Sequence, residues 1–174
     1  MALACQGGDI KIVHFSTDYV FAGDGNTPYC EDDACQPLNV YGESKLAGER
    51  YLQELSRNFL LVRTAWLYGP RGKNFVKTIL EKAATVETLK VVDDQRGSPT
   101  YTYDLATAVK RLVEDGASGI FHITNEGNCS WYEFARAILE DAGLTSAEIL
   151  PIKSDEFPSR VKRPCFSVIG GGKR

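Results

Sequence analysis

The sequence predicts an α/β protein built on a partial Rossmann-like parallel sheet, and three observations carry that expectation. Apolar runs of strand length, "KIVHFST" and "NFLLVRTAWLYG", alternate with segments whose apolar residues recur at helical spacing. Ile10, Ile12, Val13 and Phe15 put apolar side chains on both faces of the first run, as strands of parallel sheets do when covered on both sides. Strand, helix, strand in that order calls for a right-handed crossover between parallel neighbours.

The first strand ends in Ser16-Thr17-Asp18-Tyr19, which places two hydroxyls, a carboxylate and a phenol at its carboxyl end. Open α/β sheets bind ligands at that edge, although a strand running into a hydroxyl-rich turn reads the same way. "YGESKLAGERYLQELS" is a helix whose apolar face is Leu46, Tyr51, Leu52 and Leu55, and "NFLLVRTAWLYG" is the second strand. After Gly69-Pro70 come a helix, "NFVKTILEKAA", a short strand, "LKVVDD", and a polar segment, "DQRGSPTYT". A further helix, "DLATAVKRLVEDG", and a strand, "GIFHIT", follow. "SWYEFARAILEDAGL" begins with the Ser130 and Glu133 spacing of a capping box, and Gly143 closes it. The stretch "PIKSDEFPSRVKRPCFSVI" has two inner prolines and little periodicity, so it reads as an irregular segment over the rest, with "GGGKR" frayed after it.

With 174 residues, 43% hydrophobic and 25% charged, the chain has the composition of a globular domain with a real core. A net charge of −3 argues against nucleic acid or an acidic membrane as partner, since Lys153, Arg160, Lys162 and Arg163 are too scattered to form a basic patch. A small molecule is the expected partner. No apolar segment approaches the roughly 20 residues that span a bilayer, and "MALACQGGDIK" is too short and broken for a signal peptide, so a cytoplasmic location is expected. The five cysteines show no C-x-x-C and no metal-ligand spacing with His14 or His122. They read as reduced bystanders, and the histidines as core residues.

Chemistry enters with "VYGESKLAGE", in which Tyr41 and Lys45 stand four apart at the start of a helix and so share a face. A free phenol, with a pKa of about 10, is a poor proton donor at neutral pH, and a fixed ammonium beside it favours the phenolate. Tyr-x-x-x-Lys also arises by chance on many helices. Here it follows a hydroxyl-tipped strand end, and the next strand too ends in polar and aromatic residues.

Taken with "STDYVFAGDG", "VRTAWLYGPRGKNFV", "VVDDQRGSPTYTYDLA", "SWYEFARAI" and "KRPCFSV", this pattern resembles the extended short-chain dehydrogenase/reductases, and among them the dTDP-4-dehydrorhamnose reductase family. The resemblance runs from about Ser16 to Val168. It implies hydride delivery from NADPH or NADH to the C4 ketone of a dTDP-linked sugar, with Tyr41 as proton donor, Lys45 supporting the phenol and bonding the nicotinamide ribose, and Thr17 holding the carbonyl. Ser16, Thr17, Tyr41 and Lys45 would meet the cofactor. Asp18, Tyr19, Val20, Phe21 and Trp66 would line the sugar pocket, with a core tryptophan the alternative for Trp66. Arg96 would reach a diphosphate oxygen from a wall that includes Ser98, Pro99 and Thr100, unless "DQRGSPT" is a plain surface turn. Magnesium and a homodimer come with the family, without ligands that map here.

The family's glycine-rich cofactor loop has no counterpart, because "GGDIK" and "GDGN" do not follow strands and open helices. The chain therefore reads as the C-terminal part of a reductase, expected to be inactive alone. Residues 1–68 would be the C-terminal half of a Rossmann-like NAD(P)-binding domain and 69–174 mainly a small mixed α/β substrate-binding part, with 101–124 returning to the Rossmann core. Thr17 is followed by Asp18 and Tyr19 rather than by the Asp-Glu pair that water elimination calls for, so reduction is preferred to dehydration. Two other readings remain: a regulatory subunit of the same fold, like the beta subunit of methionine adenosyltransferase, and a non-functional gene fragment.

Overall fold

The computed structural model describes Cys5 and residues 10–144, 147–159 and 161–170. The largest sheet among them has three parallel strands in the order β1-β2-β7: β1 (Ile12–Thr17), β2 (Phe59–Thr64) and β7 (Gly119–His122). Helix α1 (Val40–Leu55) covers one face, where Ile12, Leu52 and Leu61 meet, and α3 (Thr102–Glu114) covers the other through Leu60, Val62, Leu105 and Val109. Burying these apolar faces is the main drive to assemble the layers. Val13 and Phe15 share the α3 face, being in register with Leu60 and Val62, yet they are 37% and 45% exposed. The expected cover on both sides of β1 is thus incomplete among the described residues, because α3 sits over β2.

A second core lies between α2 (Phe75–Ala83), α4 (Trp131–Asp141) and the parallel pair of β4 (Thr88–Val92) with β9 (Glu148–Ile152). Helix α4 opens with the expected capping box, Glu133 N–H donating to Ser130 Oγ at 3.0 Å and Ser130 N–H to Glu133 Oε2 at 2.7 Å. Gly143, at φ 66°, turns the chain out of the helix.

Two strand expectations change. "NFLLVRTAWLYG" is not one strand: β2 stops at Thr64, Trp66 adopts φ 47°, and Leu67–Tyr68 (β3) pairs with Thr100–Tyr101 (β6) instead. The polar segment supplies β6 and also Arg96–Gly97 (β5), antiparallel to Cys129–Ser130 (β8). Strand β9 had no counterpart in the sequence reading because Pro151 interrupts it, and proline is tolerated there at the edge of a two-stranded sheet.

The C-terminal segment is tied down more tightly than its sequence suggested. Phe166 N–H donates to Gly23 O, Ser167 N–H to Arg96 O, Tyr29 N–H to Val168 O and Gly170 N–H to Tyr29 O, at 2.9–3.0 Å. The expectations for the extreme N-terminus, Arg160 and the residues after Gly170 lie outside the described residues.

Arg63 on β2 joins these parts. It is 3% exposed and forks onto Glu49 of α1, itself fully buried, with Nη2 2.7 Å from Oε2. Nη1 donates to the Glu31 carbonyl and faces His122 Nε2 at 3.3 Å. Because an arginine nitrogen can only donate, His122 accepts at Nε2 and carries its hydrogen on Nδ1, toward the carbonyls of Tyr29 and Gly170. Burial holds the His122 pKa below the ordinary histidine value, and Arg63 adds to that against the opposite pull of Glu31. Glu49→Ala strands the guanidinium in the core and is expected to cost about 3–5 kcal/mol, read as a shift in the denaturant midpoint. A loss under about 1 kcal/mol would show that the pair does not hold the layers together.

Candidate functional site

The carboxyl end of β1 delivers Thr17 to the edge of the sheet, where its side chain caps a 3-10 turn, Asp18–Val20, by accepting from Tyr19 N–H at 3.2 Å. The head of α1 sits directly on this turn. Asn39 caps the helix by accepting from Gly42 N–H at 2.9 Å, and Gly42 packs so closely that a Cβ there would lie 2.2 Å from the Tyr19 carbonyl oxygen and 2.9 Å from Pro37 Cβ. Only glycine permits that approach. It brings Tyr41, one residue earlier, to an edge-to-face contact with Tyr19 at 5.9 Å between ring centroids, with the Tyr41 side chain still largely exposed.

One turn on, Lys45 Nζ donates to the Phe15 carbonyl of β1 at 2.5 Å, which fixes the ammonium over the strand end and occupies one of its three donors. Thr17, Tyr41 and Lys45 are therefore gathered around the carboxyl end of β1, the Thr17 hydroxyl buried and bonded to Asp18 and the Tyr41 phenol exposed. Among the described residues no group of three or more His, Cys, Asp or Glu could hold a metal ion, so no magnesium site is assigned.

The neighbouring residues divide. Tyr19 is partly exposed. Asp18 is 3% exposed, with Oδ1 accepting from the Thr17 hydroxyl at 2.9 Å and Oδ2 lacking a hydrogen bond of good geometry, although the Ser167 hydroxyl lies near enough to steady the charge. Burial pushes this carboxyl up to about 6, against the hydroxyls of Ser167 and Thr17. Val20 and Phe21, expected to face the sugar, are fully buried with Leu46 and Ile169, and Phe21 stacks on Tyr29 at 4.5 Å. Their apolar side chains complete the core under the turn. Ser16, expected to meet the cofactor, is 6% exposed, with its hydroxyl buried.

Trp66 lies two residues beyond Thr64, the strand partner of Thr17. Its indole stacks on Trp131 with centroids 3.4 Å apart, and Gly97 has room for no Cβ, since one would fall 2.3 Å from the ring. A non-glycine residue at positive φ is held there by its surroundings, and such strain clusters at ligand sites. Arg96 has partners in this structure: Nη2 pairs with Glu133 at 3.1 Å and Nε donates to Asn128. Ser98 and Thr100, each 1% exposed, bond to the Gly127 and Ser98 carbonyls, so neither is a surface turn residue.

A cavity of about 650 Å³ lies between α2, β4 and the C-terminal segment. Phe75, Trp131 and Phe157 give it flat apolar walls, and Lys82, Lys90, Lys162 and Arg163 bring positive charge to it. The sequence reading discounted Lys162 and Arg163 because their neighbours in the chain are scattered. The signal was their place at the head of the "KRPCFSV" block. Asn39, the cap of α1, donates to the Lys162 carbonyl at 2.9 Å, and Arg163 bears on the Tyr19 phenol, so the cavity adjoins the Thr17–Tyr41 edge.

A family model described as the RmlD substrate binding domain matches residues 1–173. The spore coat polysaccharide biosynthesis protein SpsK of Bacillus subtilis is 49% identical over 159 residues, 91% of this chain and 56% of that protein. A dTDP-4-keto-6-deoxy-D-glucose reductase of Streptomyces niveus is 42% identical over 171 residues, 98% of this chain and 59% of that one. The crystal structure of dTDP-4-dehydrorhamnose reductase from Bacillus anthracis in complex with NADP superposes with a TM-score of 0.95 at 42% identity, covering 98% of this chain and 60% of that one. The chain thus spans rather more than half the length of the proteins it matches.

Gly42→Ala would ordinarily strengthen a helix by about 0.5–1 kcal/mol. Here the methyl group collides with the Tyr19 peptide, and a net loss of about 1–3 kcal/mol in urea unfolding is expected; a gain would mean that the α1 head does not rest on the turn. Asp18 sets a pH dependence. Folding raises its pKa from 3.8 to about 6, so the folded chain holds that proton more tightly, and stability falls as pH climbs through this window. Asp18→Asn removes the effect, so its stability relative to the parent should grow by up to about 3 kcal/mol between pH 4 and 7. A pH-independent difference would contradict the buried carboxyl.

Proposed function

We propose that this chain, which belongs to the RmlD substrate binding domain family, carries the ketone-facing edge and the substrate pocket of an NAD(P)H-dependent reductase that converts dTDP-4-dehydro-6-deoxy-L-mannose to dTDP-L-rhamnose in nucleotide-sugar and cell-surface polysaccharide biosynthesis. The observation that carries the reading is the seat of α1 on the Thr17 turn, which Gly42 permits and which puts phenol, hydroxyl and ammonium at one strand edge. The named activities of the relatives and the bound NADP of the Bacillus anthracis structure support it.

The nicotinamide, when bound, supplies the hydride that converts the C4 ketone to an alkoxide. Thr17, once its hydroxyl hydrogen turns from Asp18 Oδ1, donates it to the ketone oxygen, where negative charge grows. Tyr41 gives that oxygen a proton, and the Lys45 ammonium steadies the phenolate left behind. The nucleotide part of the substrate fits the adjoining cavity, its base against Phe75 and Trp131 and its diphosphate near Lys162 and Arg163.

In a complete protein containing this segment, Tyr41→Phe removes the proton donor while leaving the ring contact with Tyr19, so ketone-dependent oxidation of NADPH or NADH is expected to slow by about 10²–10⁴ with the fold intact by circular dichroism. Turnover near that of the parent would take Tyr41 out of the mechanism. No turnover by either form, with ligand binding retained, would favour the regulatory-subunit reading.

A further inference from the structure

Asp18 does not face the cavity or the open edge, yet it is the residue that holds the Thr17 hydroxyl hydrogen. A threonine hydroxyl has one hydrogen and two lone pairs. In this structure the hydrogen goes to Asp18 Oδ1 and one lone pair accepts from Tyr19 N–H, so Thr17 has only a lone pair left for a ligand. A ketone oxygen needs a donor, and a Thr17 in this state cannot be one. An alcohol can donate, and to an alcohol the same Thr17 is a suitable acceptor.

We infer that Asp18 is a positioning residue that sets the direction of the Thr17 hydroxyl: as a carboxylate it makes Thr17 an acceptor suited to an alcohol, and as a carboxylic acid it frees Thr17 to donate to a ketone. The inference rests on the assignment of Thr17 to the reacting carbonyl made above. A proton on Oδ1 donates to Thr17 Oγ1 and turns the hydroxyl outward. A proton on Oδ2, the oxygen with no good hydrogen bond, leaves Oδ1 a neutral acceptor, and the bond from Thr17 loses the charge that made it strong. Either way one proton is taken up by the carboxyl and no other bond is made or broken.

The surroundings let this carboxyl change state. Thr17 and Tyr19 face it from its own turn and Ser167 from the C-terminal segment, and no cation figures among the influences on it. Arg163 and Tyr41 bear on the Tyr19 phenol instead. With burial outweighing the hydroxyls, Asp18 titrates near 6 rather than staying ionised throughout.

The direct test follows Asp18 Cγ by carbon NMR in the aspartate-labelled protein between pH 3 and 8. A midpoint near 6 that rises when Thr17→Val deletes the donor is the expected result, and it needs no activity. A midpoint below about 4, or one that Thr17→Val leaves unmoved, overturns the inference whether or not the protein is a reductase. The functional arm compares affinities across the same range. The keto-sugar nucleotide should bind about tenfold more tightly at pH 5 than at pH 7, the alcohol product should show no such gain, and Asp18→Asn should flatten the difference. Equal pH dependence for ketone and alcohol would overturn it, even with the NMR midpoint at 6. Should Asp18→Asn fold poorly, the ketone-to-alcohol comparison in the parent protein decides alone.

Discussion

Arg63 must place its N–H donors inside the protein, and most of the architecture described above can be traced from where they go. Two meet Glu49, which stands among Gly42, Leu46 and Leu52 on the buried stripe of α1. A carboxylate in that stripe is costly unless a cation meets it, and the only register of α1 on the sheet that satisfies Glu49 is the one that sets it over β2. Seven and eight residues earlier, the same register puts Gly42 and Tyr41 on the Thr17 turn. The remaining donors hold the Glu31 carbonyl, the Cys35 sulfur and His122, so the loop before α1 and strand β7 meet on one side chain, and His122 carries the connection on to Gly170 of the C-terminal segment. An ion pair of this kind adds little to net stability over a well-packed apolar pair; its contribution is to make one arrangement much better than its neighbours.

The division between what the chain wrote plainly and what it did not follows the range of the interactions. Tyr41 and Lys45 were legible because their relation is a helical repeat within one segment. Thr17 was legible because a strand end is a local event. The capping box at Ser130 belongs to the same class. Val20 and Phe21 sit close to Thr17 in the chain but turn into a core built with Leu46, Tyr29 and Ile169, far off in sequence, while Asp18 stays bonded to Thr17 and is buried with it. Arg96 read as a free cation until the fold brought Glu133 beside it, and Lys162 and Arg163 read as scattered until Asn39 tied their segment to the head of α1.

Asn39 has two duties that join the site to the cavity. Its side-chain oxygen stops the unpaired N–H of Gly42 and its side-chain nitrogen holds the Lys162 carbonyl. One side chain thus ties the segment carrying Lys162 and Arg163 to the first turn of α1.

The tryptophans of this chain number two, and both are in the stack of Trp66 on Trp131. At 3.4 Å and 7° between planes, their electronic transitions cannot be independent, so the ultraviolet absorption, emission and circular dichroism of indole in this protein belong to a single coupled chromophore. One face of that chromophore is sealed by Gly97 and its Trp131 half borders the cavity. The molecule thus carries its own optical label at the cavity wall, and any event that slides one ring over the other is written directly into its light emission.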